Sequence, residues 1–383
     1  MANVVVVVPG WLSPNEDDSV LRPGPSAVAA MARRAKIERL TWAVSAETPE
    51  AAWLGIDPER VRLASGPLAV AALGADPPAR SVHFQVSLLS LTDGRISPLG
   101  SELEPDVRRR VAELGQRLDT RRLTTVWGPG TEHGLVWEDG SIDLACTSPD
   151  RLGDRTMAEC LPEGDGESML RRFVDDSVNL LADEEFNRRR MEEGLPPANI
   201  LWPWGPGFRN PVPNLLLERG RPLRVESRSL RLQGLARLAK ATHGRLDSMG
   251  SGTATRLDSA LASAQSGCDC VLVIDAVEAM RAEGRLEEVD WLTHEIDRRL
   301  LRPLWESTAD NRSRLSVVAL RPGAAAPGAP PTSDCVGLAM TVGAKLRAEN
   351  VYPFDERSLD ERTLNRRPVW QAIEEALVWQ AVE

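Results

Sequence analysis

The chain predicts an α/β protein whose mostly parallel sheet is interrupted by an inserted α+β domain, and three features of its 383 residues carry that prediction. The first is a set of continuous apolar, β-rich runs: Val4 to Val8 ahead of Pro9-Gly10, Cys270 to Ile274, and Leu315 to Leu320. Runs without polar alternation suit strands buried on both faces, as in parallel sheets. The second is helical periodicity between them. Leu286, Val289, Leu292, Ile296, Leu300 and Leu304 recur at three- and four-residue steps, which predicts one amphipathic helix over residues 285–305. The third is a change of texture in the middle of the chain, where short strands and helices alternate with turn signals.

Taken in order, Val4 to Val8 predicts a central strand ending in a turn. His83 to Leu88 and the stretch 124–137 predict short strands, with turns at Asp93-Gly94 and Asp139-Gly140. Residues 105–118 and 168–191 predict helices, the second ending at Gly194 with Pro196-Pro197 beyond it. The core domain is therefore expected to comprise residues 1–75 and 223–383, and the inserted domain residues 76–222. Residues 324–331, rich in Ala, Pro and Gly, predict a loop. No internal repeat is present. The helix carrying Trp370, Ile373, Leu377 and Trp379 is expected to pack on its own core.

Composition bounds the function. Hydrophobic content of 42%, charged content of 27% and a net charge of −10 describe a globular protein unsuited to nucleic acid or an anionic membrane surface. Five cysteines with no C-x-x-C pair imply free thiols. With no signal-like or membrane-length apolar stretch, the expected location is cytoplasmic. Lysine occurs only at Lys36, Lys240 and Lys345, so Arg supplies nearly all the basic charge.

Several segments together resemble the archaeal-type cofactor-independent (2,3-bisphosphoglycerate-independent) phosphoglycerate mutases of the alkaline phosphatase superfamily. They are Leu54-Gly55-Ile56-Asp57-Pro58, Ser65-Gly66-Pro67-Leu68 with Ala71-Ala72-Leu73-Gly74, Asn187-Arg188, Pro197-Ala198-Asn199 running into Gly205-Pro206-Gly207, and Tyr352-Pro353-Phe354-Asp355. The likeness extends from the first strand to about residue 365. It implies an alkaline-phosphatase-like core with the inserted α+β domain. It also implies chemistry in which two divalent metals lower the pKa of a Ser or Thr nucleophile and neutralise the transferring phosphoryl group.

Carried over position by position, that machinery is missing. The slots for metal ligands fall on Pro9, Ile274, Ala279, Glu283, the Leu320-Arg321-Pro322 stretch and the neighbourhood of Pro331. The nucleophile slot falls on Ala46, with Ser45 one residue away as the weak catalytic candidate. Asp275, Glu278, Glu283 and Asp334 are the weak candidates for a metal, and none of the four histidines stands in a ligand-pair spacing. On the substrate side the resemblance implies Arg and Asn where Gln85 and Ser87 stand, and Arg where Ser65 stands. Arg188, Gly205 and Gly207 survive as a candidate anion site, whose plainer reading is an exposed basic helix end and a turn.

The remaining constellations are weaker. Gly250-Ser251-Gly252-Thr253 lacks the Lys of a phosphate-binding loop. His133 is open to two readings, a proton shuttle or a surface or satisfied strand histidine; His243 is most simply a residue near a helix C-terminus, and His294 a surface residue. Two functions stay open. One is a degenerate mutase homologue that needs no cofactor and acts as a ligand-binding or regulatory protein, with a small phosphorylated or carboxylated ligand. The other is an active mutase or metal-dependent phosphohydrolase using Mn or Zn. Beside these two stands a structural partner that lends its surface to an active homologue, and a homo-oligomer is the other protein assembly left open.

Overall fold

Val4 to Val8 forms β1, and all five valines are buried. Each fully buried Val contributes roughly 1.5–3 kcal/mol of hydrophobic stabilisation, so this segment is fixed in the interior. The computed structural model describes residues 2–13, 26–42, 48–76, 78, 80–99, 103–244, 246, 253–308, 313–323, 332–343 and 352–378. They divide into two compact units, residues 1–62 with 212–383, and residues 63–211.

In chain order the first unit opens with β1, α1 (Ala27–Ala32) and β2 (Lys36–Trp42). The second unit holds α2 (Ser65–Ala72), β3 (Val82–Thr92), β4 (Arg95–Ser97), α3 (Pro105–Gly115), β5 (Leu123–Val126) and β6 (Glu132–Trp137). It continues with β7 (Leu144–Ala145), β8 (Glu163–Gly164), α4 (Glu167–Leu181), α5 (Glu185–Glu192) and β9 (Ile200–Gly207). The first unit resumes with α6 (Leu215–Arg219), β10 (Leu223–Ser227), α7 (Leu230–Leu238), β11 (Thr242–Gly244), α8 (Thr253–Ala264) and β12 (Asp269–Val273). It closes with α9 (Ala276–Ala282), α10 (Leu286–Glu295), α11 (Arg302–Ser307), β13 (Arg314–Leu320), β14 (Thr332–Gly343), β15 (Arg366–Pro368) and α12 (Val369–Val378).

The first unit is built on an eight-stranded sheet in the order β11-β10-β12-β1-β13-β14-β2-β15. Only β14 runs antiparallel to its neighbours; the other pairings are parallel. Val4, Val6 and Val8 join Leu272, Val317 and the apolar faces of α1, α8, α10 and α11 in one core, while Val5 and Val7 are buried on the opposite face. Asp297 caps α1 from outside its own sequence, accepting from the Ala27 and Val28 amides at 3.0 and 2.9 Å. That satisfies two amide donors orphaned at the start of α1.

The second unit is antiparallel: β4, β6 and β9 all pair with β3, and β5 pairs with β6. Asp93 and Gly94 both have positive φ, 51° and 74°, the conformation of a tight two-residue hairpin turn, and they join β3 to β4. The expected insertion boundaries of 76 and 222 are corrected to 63 and 211. The reason is packing. α2 lies on β3, β6 and β9, so closely that a Cβ on Gly66 would stand 2.0 Å from the His83 carbonyl oxygen. α6, by contrast, is tied to the first unit, where the Leu215 amide donates to the Ala239 carbonyl at 3.0 Å.

Two expected helices are divided. Residues 168–191 form α4 and α5 with a break at Ala182 to Glu184, and the helix expected over 285–305 is α10, a π-helical turn at Ile296–Leu301, and α11. Among the described residues no helix is long and apolar enough to cross a membrane. All five cysteines are free.

Candidate functional site

In an open α/β sheet the strands' carboxyl edge is where ligands bind. Here that edge is formed by the exits of β1, β12 and β13. Pro9-Gly10 follows β1, and Gly10 has φ +70°. A Cβ at Gly10 would stand 2.7 Å from the Glu278 Cα, so the β1 exit rests directly on the first turn of α9. Glu278 then reaches the β13 exit, where its Oε1 accepts from the Gly323 amide at 2.6 Å. The Trp11 indole donates to Thr293 Oγ1 at 2.9 Å, and the Leu12 amide to the Leu320 carbonyl at 3.1 Å. Among the described residues these bonds tie the exits of β1 and β13 to α9 and α10.

Asp275 stands at the β12 exit as the residue before α9, and its carboxyl makes no capping bond. Burial pushes its pKa up, with Arg228 opposing. Burial also raises Glu278, opposed by the Gly323 amide and reinforced by the Asp275 charge. Two carboxyls thus meet at this edge, and both are disfavoured as anions.

Of the other proposed metal ligands, Glu283 does not join them. Glu283 lies at the far end of α9, exposed, in an ion pair with Arg285 at 2.8 Å. Asp334 lies on β14 near the strand's start, on the side where Gly337 pairs with Leu320; only its backbone is described. Ser45 and Ala46 lie outside the described residues, as do Gly250 to Gly252. Among the described residues no three of His, Cys, Asp and Glu gather as a metal site would require. The described residues at this edge do not fit the two-metal centre that the family resemblance implies.

The anion candidates Arg188, Gly205 and Gly207 lie in the second unit. Arg188 is exposed and pairs with Glu185 one turn away at 2.5 Å. Gly205 and Gly207 are there for close approach: a Cβ would stand 2.7 Å from Ser65 Cβ at the first and 2.9 Å from Ala64 Cβ at the second. They let β9 lie against the start of α2. Asn187 is a buried clip. Its amide donates to the Leu181 and Ala198 carbonyls at 2.8 and 3.1 Å and accepts from the Ala198 amide at 2.7 Å.

Sequence reasoning missed Arg190. Its side chain has no exposure, and it donates from Nε to the Pro196 carbonyl at 3.0 Å and from one terminal nitrogen to both Glu104 oxygens at 3.0 and 2.8 Å. The signal that could have found it is helical phase, since Phe186, Asn187 and Arg190 form the buried face of α5.

A polar seam runs along β3. The Gln85 amide nitrogen donates to Glu132 Oε2 at 2.6 Å, Ser87 Oγ donates to the same oxygen at 2.9 Å, and the Trp204 indole donates to Ser87 Oγ at 3.0 Å. His83, two residues before Gln85 on the same strand face, is buried and pushed down to about 4 by burial, assisted by Arg209. His133 is no surface histidine. Its Nδ1 accepts from the Gly128 amide at 3.1 Å, its ring lies 4.7 Å from that of Trp127, and burial holds its pKa at about 3. A group so hard to protonate is a poor shuttle at neutral pH. His243 is half-buried on β11 rather than at a helix end, and His294 is exposed, its Nδ1 2.8 Å from the Asp290 carbonyl.

No family model matches the chain. Curated relatives do. It is 24% identical over 316 residues to a 2,3-bisphosphoglycerate-independent phosphoglycerate mutase of Methanosarcina mazei, a match covering 80% of this chain and 79% of that one. It is 29% identical over 157 residues to the enzyme of the same name in Methanosarcina barkeri, covering 40% and 39%. For that relative and one from Geobacter sulfurreducens, the match spans about two fifths of the relative's length. Among solved structures, the chain is similar to a Pyrococcus horikoshii protein with a TM-score of 0.70 at 14% identity, covering 100% of this chain and 98% of the other. It is similar also to a cofactor-independent phosphoglycerate mutase from Thermoplasma acidophilum, with a TM-score of 0.58 at 17% identity, covering 98% and 100%.

Proposed function

We propose that this chain, which belongs to the archaeal-type cofactor-independent phosphoglycerate mutase family, has kept the family's framework without its metal-dependent phosphoryl transfer and works as a ligand-binding or regulatory protein. The observation that carries this reading is the carboxyl edge of the first unit's sheet. Glu278 is committed to the Gly323 amide, the Gly10 exit lies on α9, and no third ligand joins Asp275 and Glu278 among the described residues. Phosphoryl transfer to an alkoxide depends on concentrated positive charge at the transferring oxygens, and this edge offers two carboxyls that burial pushes toward the neutral form. The exposed, already paired Arg188 supports the same reading on the substrate side.

No cofactor is required in this proposal, and its ligand is a small molecule. A cytoplasmic location accords with the free cysteines.

The test is calorimetric titration of chelator-stripped protein with Mn2+ and then Zn2+, beside an assay for interconversion of 3- and 2-phosphoglycerate. Absence of saturable binding and of turnover is the expected result. Binding of one or two ions per chain at micromolar concentration, with turnover, would overturn the proposal and make the chain an active mutase.

A further inference from the structure

We draw no further inference here: the strongest candidate, the pocket of about 180 Å³ at the amino edge of the first unit's sheet, lined by Val4, Ala264, Leu304, Thr308 and Leu315 at the starts of β1 and β13 and the ends of α8 and α11, carries nothing because residues 309–312 of the α11–β13 connection lie outside the described residues and nothing in the structure shows what covers it.

Discussion

Replacing Arg190 by Met tests whether the three consecutive arginines of α5 serve a ligand or the fold. The Arg190 guanidinium is fully buried and makes three hydrogen bonds, two to Glu104 at 3.0 and 2.8 Å and one to the Pro196 carbonyl at 3.0 Å. Methionine fills most of the side chain's stem, so the loss is electrostatic rather than a cavity. Breaking a buried ion pair by removing one partner costs about 3–5 kcal/mol. Glu104 is 35% exposed and can regain water, which places the cost near the lower end, at about 3 kcal/mol. The orphaned Pro196 carbonyl adds about 1 kcal/mol. For a unit of about 150 residues, 1 kcal/mol corresponds to about 2–4 °C, so the second unit's transition should fall by about 10 °C. Arg188→Ala removes only an exposed pair with Glu185 and should shift it by less than about 2 °C. Differential scanning calorimetry of the intact chain, with hydrogen exchange across α5 and β9, reads both variants. Equal shifts, or a shift below about 2 °C for Arg190→Met, would refute the assignment.

Two further outcomes follow from the same geometry. Gly66→Ala sets a Cβ 2.0 Å from the His83 carbonyl oxygen and 2.7 Å from the Phe84 Cα, both backbone, and should destabilise the second unit by at least about 3 kcal/mol. Gly94→Ala has open space and only the strain of positive φ, so it should cost about 1 kcal/mol; denaturant titrations that rank the two the other way would refute the packing argument. His83 and His133 are held neutral with pKa values of about 4 and about 3, below the 6.5 of an unfolded chain. The unfolded chain therefore binds protons first as pH falls. Stability should be full above about pH 6.5, decline toward pH 3, and rise with pH between them. His133→Asn should flatten that dependence, and an unchanged slope in urea midpoints measured from pH 4 to 6.5 would refute the role given to its burial.

Much of the core was legible because its signal is redundant. Five valines in a row can only be satisfied by burial on both faces, and the structure places them between β12 and β13. β15 was not legible: Arg366-Arg367-Pro368 has neither alternation nor apolar content, and its strand geometry comes from pairing with β2. The break between α4 and α5 was hidden because Ala182 to Glu184 contain no Gly or Pro to mark it. The π-helical turn after α10 was hidden for a different reason. Ile296, Leu300 and Leu301 keep their apolar spacing whether the turn closes four or five residues back. At the candidate site, the sequence could display three arginines and four carboxylates but not their partners. Which arginine is buried depends on the phase of α5 and on Glu104, 86 residues away.

The pairing of β1 with β12 and β13 also has a consequence in time. Val4 waits for Cys270 and Leu315, while the second unit is one continuous stretch of chain, residues 63–211. During synthesis the second unit can complete its sheet while the valine segment still has no neighbours. Until β12 is made, a five-residue, β-prone apolar strand stands with both edges unpaired, a template for association with other chains. The interval is set by the length of the intervening unit, so nascent-chain aggregation should respond to charged substitution within Val4 to Val8 before any property of the finished protein does.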